Sequence, residues 1–130
     1  MDTPAACVLD ASALLALLND EPGARAVSEC LDGASMSAVN WCETYGKLRG
    51  GGVPGAALEA GMAATGISVI PFDTDQAYAA GELLPVGRSA GLSLADCACL
   101  SLAQRLGVPA VTADTAWRTV DVDVEVVCIR

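Results

Sequence analysis

The reading of the fold turns on Ala5-Ala6-Cys7-Val8-Leu9-Asp10-Ala11-Ser12-Ala13-Leu14-Leu15-Ala16-Leu17-Leu18. Its short unbroken apolar run up to Leu9 reads as a strand buried on both faces, the mark of a parallel sheet. The longer run after Ser12 reads as a helix, so Asp10 stands at a strand-to-helix turn. In a parallel sheet all strands end on one edge and the following helices begin there. Carboxylates at such turns therefore converge even when they are far apart in the chain.

Outward from that stretch the same alternation repeats. Asn19-Asp20-Glu21-Pro22-Gly23 is a turn with Pro placed to open a helix that runs through Val27 to Leu31. A strand over Ala34–Val39 follows. Asn40 reads as an N-cap, and Glu43 three residues on completes a capping-box pattern for a helix over Trp41–Leu48. A helix over Ala56–Thr65 and a strand over Ile67–Phe72 come next. Asp73 caps a helix through Leu84, and Pro85–Gly91 reads as a mobile loop rich in Gly and Pro. Ser93 and Asp96 form a second capping-box pattern for a long helix that Gly107 closes. Pro109–Ala113 reads as a strand ending at Asp114, then a helical turn, then a last strand over Val124–Ile129. Strands separated by helices imply an α/β sandwich with a mainly parallel sheet of about five strands. No repeat or change of composition divides the chain, which reads as a single domain over residues 1–130.

Composition narrows the chemistry. With 53% hydrophobic and only 4% aromatic residues, the core must be built from Ala, Leu and Val. A formal net charge of −9 argues against a surface that grips nucleic acid by charge alone. A polyanionic substrate would need a metal or a local basic patch, and the acidity equally suits a basic protein partner. The absence of histidine removes the commonest general base and zinc ligand, and with them every Ser-His or Cys-His arrangement. The six cysteines fall mostly in apolar stretches and form no C-x-x-C pair, so they read as small buried hydrophobes in a reducing compartment. Met1-Asp2-Thr3-Pro4 lacks the charge of a signal peptide, and no apolar run reaches the ~20 residues that span a bilayer, so a cytoplasmic location is expected.

Four acids occupy comparable places: Asp10 and Asp114 directly after strands, Glu43 and Asp96 in the first turns of helices. Each alone also fits a structural role, Asp10 and Asp114 as N-caps, Glu43 and Asp96 as the acidic ends of capping boxes. Together they would crowd one sheet edge, where carboxylates repel unless a cation neutralises them. Magnesium or manganese suits an all-oxygen site that offers neither His nor Cys.

Those acids also sit in recognisable surroundings. Val8-Leu9-Asp10-Ala11-Ser12, Asn40-Trp41-Cys42-Glu43, Leu92-Ser93-Leu94-Ala95-Asp96-Cys97-Ala98-Cys99-Leu100 and Thr112-Ala113-Asp114-Thr115-Ala116-Trp117 resemble the four acidic motifs of the PIN-domain ribonucleases. Within that family the likeness is to the VapC toxins of bacterial toxin-antitoxin pairs. It runs through essentially the whole chain in order, and the third and fourth motifs are its more specific part. The resemblance implies a PIN-like α/β/α sandwich with strand order 3-2-1-4-5. It implies a metal-dependent endoribonuclease, in which metal-activated water attacks an RNA phosphodiester. Asp10 and Asp96 would be direct ligands of Mg2+ or Mn2+, Asp114 would complete or support the site, and Glu43 would act through a water or a second ion. Ser12 and Thr112 match small hydroxyl positions that steady such carboxylates, and they equally suit capping and turn hydrogen bonds. The resemblance further implies a homodimer that lines up two acidic clefts, and a VapB-like antitoxin that blocks the cleft.

Lys47, Arg49 and Arg88 lie near the Gly-rich turn and the Pro85–Gly91 loop, and Arg118 follows Asp114 by one helical turn. They would guide an RNA strand or serve as solvated surface charges. Trp41 and Trp117 adjoin the motifs and would either stack a base or pack at helix starts. The competing reading is a catalytically silent PIN-like module that binds RNA or a basic partner. A phosphoacceptor receiver domain also gathers acids at strand ends, but it wants a Lys at the end of the last strand, where this chain has Cys128-Ile129-Arg130.

Overall fold

A computed structural model describes residues 6–130, with the opening run as strand β1 (Cys7–Leu9) followed by helix α1 (Ala11–Leu18). Residues Met1–Ala5 lie outside the described residues. β1 is buried on both faces, and its side chains divide between two cores. Cys7 and Leu9 join Ala34, Met36 and Val111 on one side of the sheet, while Val8 joins Ala110 on the other. This two-residue alternation inside a continuous apolar run is what a central parallel strand requires.

β1 pairs in parallel with β2 (Ala34–Ser37) and with β4 (Ala110–Thr112). β3 (Ser68–Ile70) and β5 (Val126–Cys128) extend the sheet on either side, giving the expected order β3-β2-β1-β4-β5 with every pairing parallel. Parallel strands need crossovers, and the crossovers cover both faces. α1, α2 (Ala24–Glu29) and α4 (Gly55–Thr65) bury Ala13, Leu14, Val27 and Met62 against one face. α5 (Thr74–Gly87) and α6 (Leu94–Leu106) bury Ala80, Leu83, Leu100 and Leu102 against the other. α6 is closed in on all sides, with every residue from Cys97 to Ala103 buried. Its small side chains, Cys97, Ala98, Cys99, Ser101 and Ala103, let neighbouring backbones approach it closely. Gly107, in the left-handed region at φ 68°, then turns the chain into β4.

Three expectations are corrected. β2 ends at Ser37 and α3 spans Ala38–Gly50, so the N-cap is Ser37, whose hydroxyl accepts from the Val39 N–H at 3.2 Å, and not Asn40. The chain leaves the sheet earlier because Ser37 caps at least as well as Asn40 and stands immediately after the last paired strand residues. Pro85–Gly91 is not a loop: α5 continues through Pro85 to Gly87, and Arg88–Ala90 forms a 3-10 turn. Pro85 is tolerated because the carbonyl it leaves without a helical partner belongs to Gly81, which is exposed and open to water. The cysteines are not all interior: Cys7, Cys97 and Cys99 are buried, Cys30 and Cys128 are half-buried, and Cys42 on α3 is exposed. Burial, reinforced by the adjacent Cys30, pushes the Cys7 thiol up to about 12, which makes it a packing group at neutral pH. Among the described residues no helix is long and apolar enough to cross a membrane.

Candidate active site

Asp10 ends β1 and caps α1 at the carboxyl edge of the sheet. It is only 4% exposed, an unusual position for a carboxylate. Three groups hold it. The Ala13 N–H donates to Oδ1 at 2.8 Å, the Ser12 hydroxyl is shared between Oδ1 at 2.7 Å and Oδ2 at 2.9 Å, and the Thr112 hydroxyl donates to Oδ2 at 2.6 Å. Each hydroxyl is itself oriented by a backbone N–H. Ser12 Oγ accepts from Ala113 at 2.9 Å, and Thr112 Oγ1 accepts from Asp114 at 3.0 Å. Two chains of donors thus run from the end of β4 through a hydroxyl to one carboxylate, and bonds in such chains polarise one another.

Burial raises the pKa of Asp10 above its ordinary value, the hydrogen bonds from Thr112, Ala13 and Ser12 pull it back, and the charge of Asp96 raises it again. Asp96 is therefore an electrostatic neighbour of Asp10. It sits half-buried in the first turn of α6, within a complete capping box. The Ser93 N–H donates to its Oδ2 at 2.8 Å, and its own N–H donates to Ser93 Oγ at 3.1 Å. Asp114, two residues beyond Thr112, is exposed and caps a 3-10 turn (Thr115–Thr119) by accepting from the Ala116 N–H at 2.9 Å. The capping roles of these three acids are thus real, and they coexist with a shared location at the ends of β1 and β4 and the start of α6.

Glu43 is different. With α3 starting at Ala38, it lies in the second turn, too far along to close a capping box, and it is exposed. Among the described residues its carboxylate meets no hydrogen-bond donor and no cation. The structural explanation that a capping box offered for this residue is gone. The structure also moves Asn40, which sequence reasoning placed at a cap. It lies on the inner side of α3, 1% exposed, with Nδ2 donating to the Ala95 carbonyl at 3.0 Å. The missed signal was Ser37, a better-placed cap that shifts the helix phase and turns Asn40 inward.

Among the described residues no three of His, Cys, Asp and Glu stand together as a ready-made ion cage. Mg2+ does not demand one, since it keeps several waters and takes one or two carboxylates. Asp10 beside Asp96 is a donor set of that kind, hard carboxylate oxygen. The neighbouring thiols, Cys97 and Cys99, are fully buried, and burial together with the charge of these acids raises their pKa and disfavours the thiolate that a metal would need. The basic residues lie at the surface. Lys47 and Arg49 are exposed in the last turn of α3, with Arg49 Nη1 donating to the Val53 carbonyl at 3.0 Å. Arg88 is exposed in the 3-10 turn, and Arg118 donates to the Arg130 carbonyl at 3.0 Å. Trp117 is 1% exposed and packs in the α5–α6 core, which closes it to base stacking. Trp41 packs edge-to-face on Tyr45, with ring centroids 5.8 Å apart.

A five-stranded parallel sheet of this order, with a held carboxylate after its first strand and acids at the same edge, defines a class, and comparison with known proteins agrees. The PIN domain model matches residues 7–123, and the chain belongs to the PIN-domain family. It is 34% identical over 128 residues to a ribonuclease VapC of Mycolicibacterium smegmatis, in a match that covers 88% of this chain and 96% of that one. Solved structures share the fold at lower identity. A toxin-antitoxin complex from Klebsiella pneumoniae superposes with a TM-score of 0.71 at 18% identity, covering 96% of this chain and 98% of that one. DNA-bound VapBC from Salmonella typhimurium gives 0.71 at 15% identity, covering 97% and 99%.

Proposed function

We propose that this protein is a metal-dependent endoribonuclease and the toxin of a VapBC-type toxin-antitoxin pair, acting as a single domain over residues 1–130. The observation that carries this reading is the environment of Asp10. A carboxylate 4% exposed, held by Ser12 from the first turn of α1 and by Thr112 from the end of β4 and set beside Asp96, is costly to build and is not needed to cap an eight-residue helix. The similarity to a ribonuclease VapC supports RNA as the substrate.

In this reading Asp10 and Asp96 hold a Mg2+ or Mn2+ ion, and Asp114 completes the site. Such an ion supplies activation of the attacking water and offsets charge on the phosphate oxygens. Ser12 and Thr112 orient the Asp10 carboxylate and favour its ionised form against the effect of burial by spending their only protons on it. Glu43, unpaired on α3, is free to accept a proton or to position water at the cleft. Lys47, Arg49, Arg88 and Arg118 supply local positive charge to RNA on a chain of net charge −9. The partner is a VapB-like antitoxin, the assembly a homodimer and the location cytoplasmic. A protein partner is supported by an apolar groove of about 230 Å³ between α1, α3 and α4, lined by Leu14, Leu18, Trp41, Leu48, Leu58 and Met62.

The test is cleavage of total cellular RNA by antitoxin-free protein with Mg2+ or Mn2+, with a chelator, and beside Asp10→Asn. Discrete fragments that require both the ion and Asp10 are expected. RNA bound but left intact by wild type under all conditions would replace the enzyme with a silent RNA-binding module.

A further inference from the structure

Asn40 on α3 is a buried amide whose chemistry is only half used. Its Nδ2 donates to the Ala95 carbonyl at 3.0 Å, while its Oδ1 is the one buried side-chain oxygen among the described residues without a hydrogen-bond partner. The bond can add to stability, but the unpaired oxygen cannot. Ala95 lies in the first turn of α6, where its carbonyl accepts from the N–H four residues on whether or not Asn40 is present. A buried amide oxygen left unpaired costs free energy that an apolar side chain of similar volume would not. Thr44, one turn further along α3, spends its hydroxyl on the Asn40 carbonyl at 2.9 Å and cannot relieve Oδ1.

What the bond does achieve is positional. Ala95 immediately precedes Asp96, and Asn40 precedes Glu43 by one turn of the same helix. The bond joins the two helices at the turns that carry these acids, which are 53 residues apart in sequence (96 − 43) and on elements with no other side-chain hydrogen bond between them among the described residues. We propose that Asn40 is a positioning residue of the acidic site, clamping α3 to the first turn of α6 and so setting the spacing between Glu43 and Asp96. This deepens the reading of the site given above and rests on it. A residue that orients a ligand without touching the ion acts as the outer partners of metal sites do, and loss of such partners weakens ion affinity 10–100-fold.

The experiment compares wild type with Asn40→Leu, full chain and antitoxin-free, by Mn2+ titration followed by electron paramagnetic resonance, by thermal unfolding, and by kcat and KM on RNA. The expected result is a thermal midpoint unchanged or raised, Mn2+ affinity weakened by about 10-fold or more, and kcat lowered with KM for RNA unchanged. A lowered midpoint with wild-type Mn2+ affinity and kcat would make Asn40 a packing residue and overturn the proposal. If Asn40→Leu does not fold, Asn40→Ser, which removes the amide donor and keeps a polar group, is read by the same quantities. Wild type that neither binds Mn2+ nor cleaves overturns the reading of the whole site. Wild type that does both, beside an Asn40→Leu equal to it, overturns the role of Asn40 alone.

Discussion

The acidic edge has two unlike halves. At the end of β1, Asp10 is buried, accepts from three donors and is tied through two hydroxyls to the end of β4. On α3, Glu43 is exposed and touches no donor among the described residues, while Asp114 is exposed and its carboxylate is bonded only within its own turn. The contrast teaches which carboxylates the fold builds in and which it leaves at liberty. A built-in group is oriented before any ligand arrives, at a cost in desolvation. An exposed one costs nothing to fold and keeps its lone pairs for chemistry.

If that division is right, substitutions should separate by stability as well as by activity. Asp10→Ala strands the Ala13 N–H and two hydroxyl protons, so it should cost about 1–3 kcal/mol in urea unfolding with chelator present, and abolish cleavage. Stability equal to wild type would mean that the corner is not built as described. Thr112→Val keeps shape but removes one donor to Asp10 and the acceptor of the Asp114 N–H. It should cost about 1–2 kcal/mol and weaken Mn2+ affinity 10–100-fold, as read by calorimetry.

Acidity sharpens the same contrast. The folded pKa of Asp10 lies above its ordinary 3.8, first because of burial. The folded state then holds its proton more tightly than the unfolded one, so this group favours folding at low pH and loses that contribution as pH rises from about 4 through the folded pKa. In ion-free protein, Asp10→Asn should flatten that part of the stability curve, whereas Glu43→Gln should leave it in place. A curve of unchanged shape for Asp10→Asn would reassign the effect to another acid.

The smallest effects on folding belong to the exposed half. Glu43→Gln should leave stability within about 0.5 kcal/mol of wild type while lowering RNA cleavage at least 10-fold. Full activity in Glu43→Gln would remove it from the site. Asp114→Asn keeps a good N-cap, so its stability should change by only a few tenths of a kcal/mol, and any loss of cleavage would report on the ion rather than the turn.

Much of this edge was legible before the structure. Asp10, Asp73, the Ser93–Asp96 capping box and the Gly107 stop lie where local hydrogen bonding alone would put them, because such bonds join residues two to four apart. What failed was phase and continuation. Asn40 and Ser37 are both good caps three residues apart, and only the end of β2 pairing decides between them. Pro85 reads as a break until Gly81, four residues earlier, is seen facing water. Cys42 reads as interior beside Trp41 and faces out once the helix phase is known.

The sequence by itself determined the alternation of strands and helices, the parallel sheet and three of the acids at its turns, Asp10, Asp96 and Asp114, since these follow from apolar periodicity and local capping. The tertiary structure decided how the acids differ. Thr112 reaches Asp10 across 102 residues and Asn40 reaches Ala95 across 55. Bonds of that span depend on strand order and on helix phase, and both are settled only when the two faces of the sheet are packed.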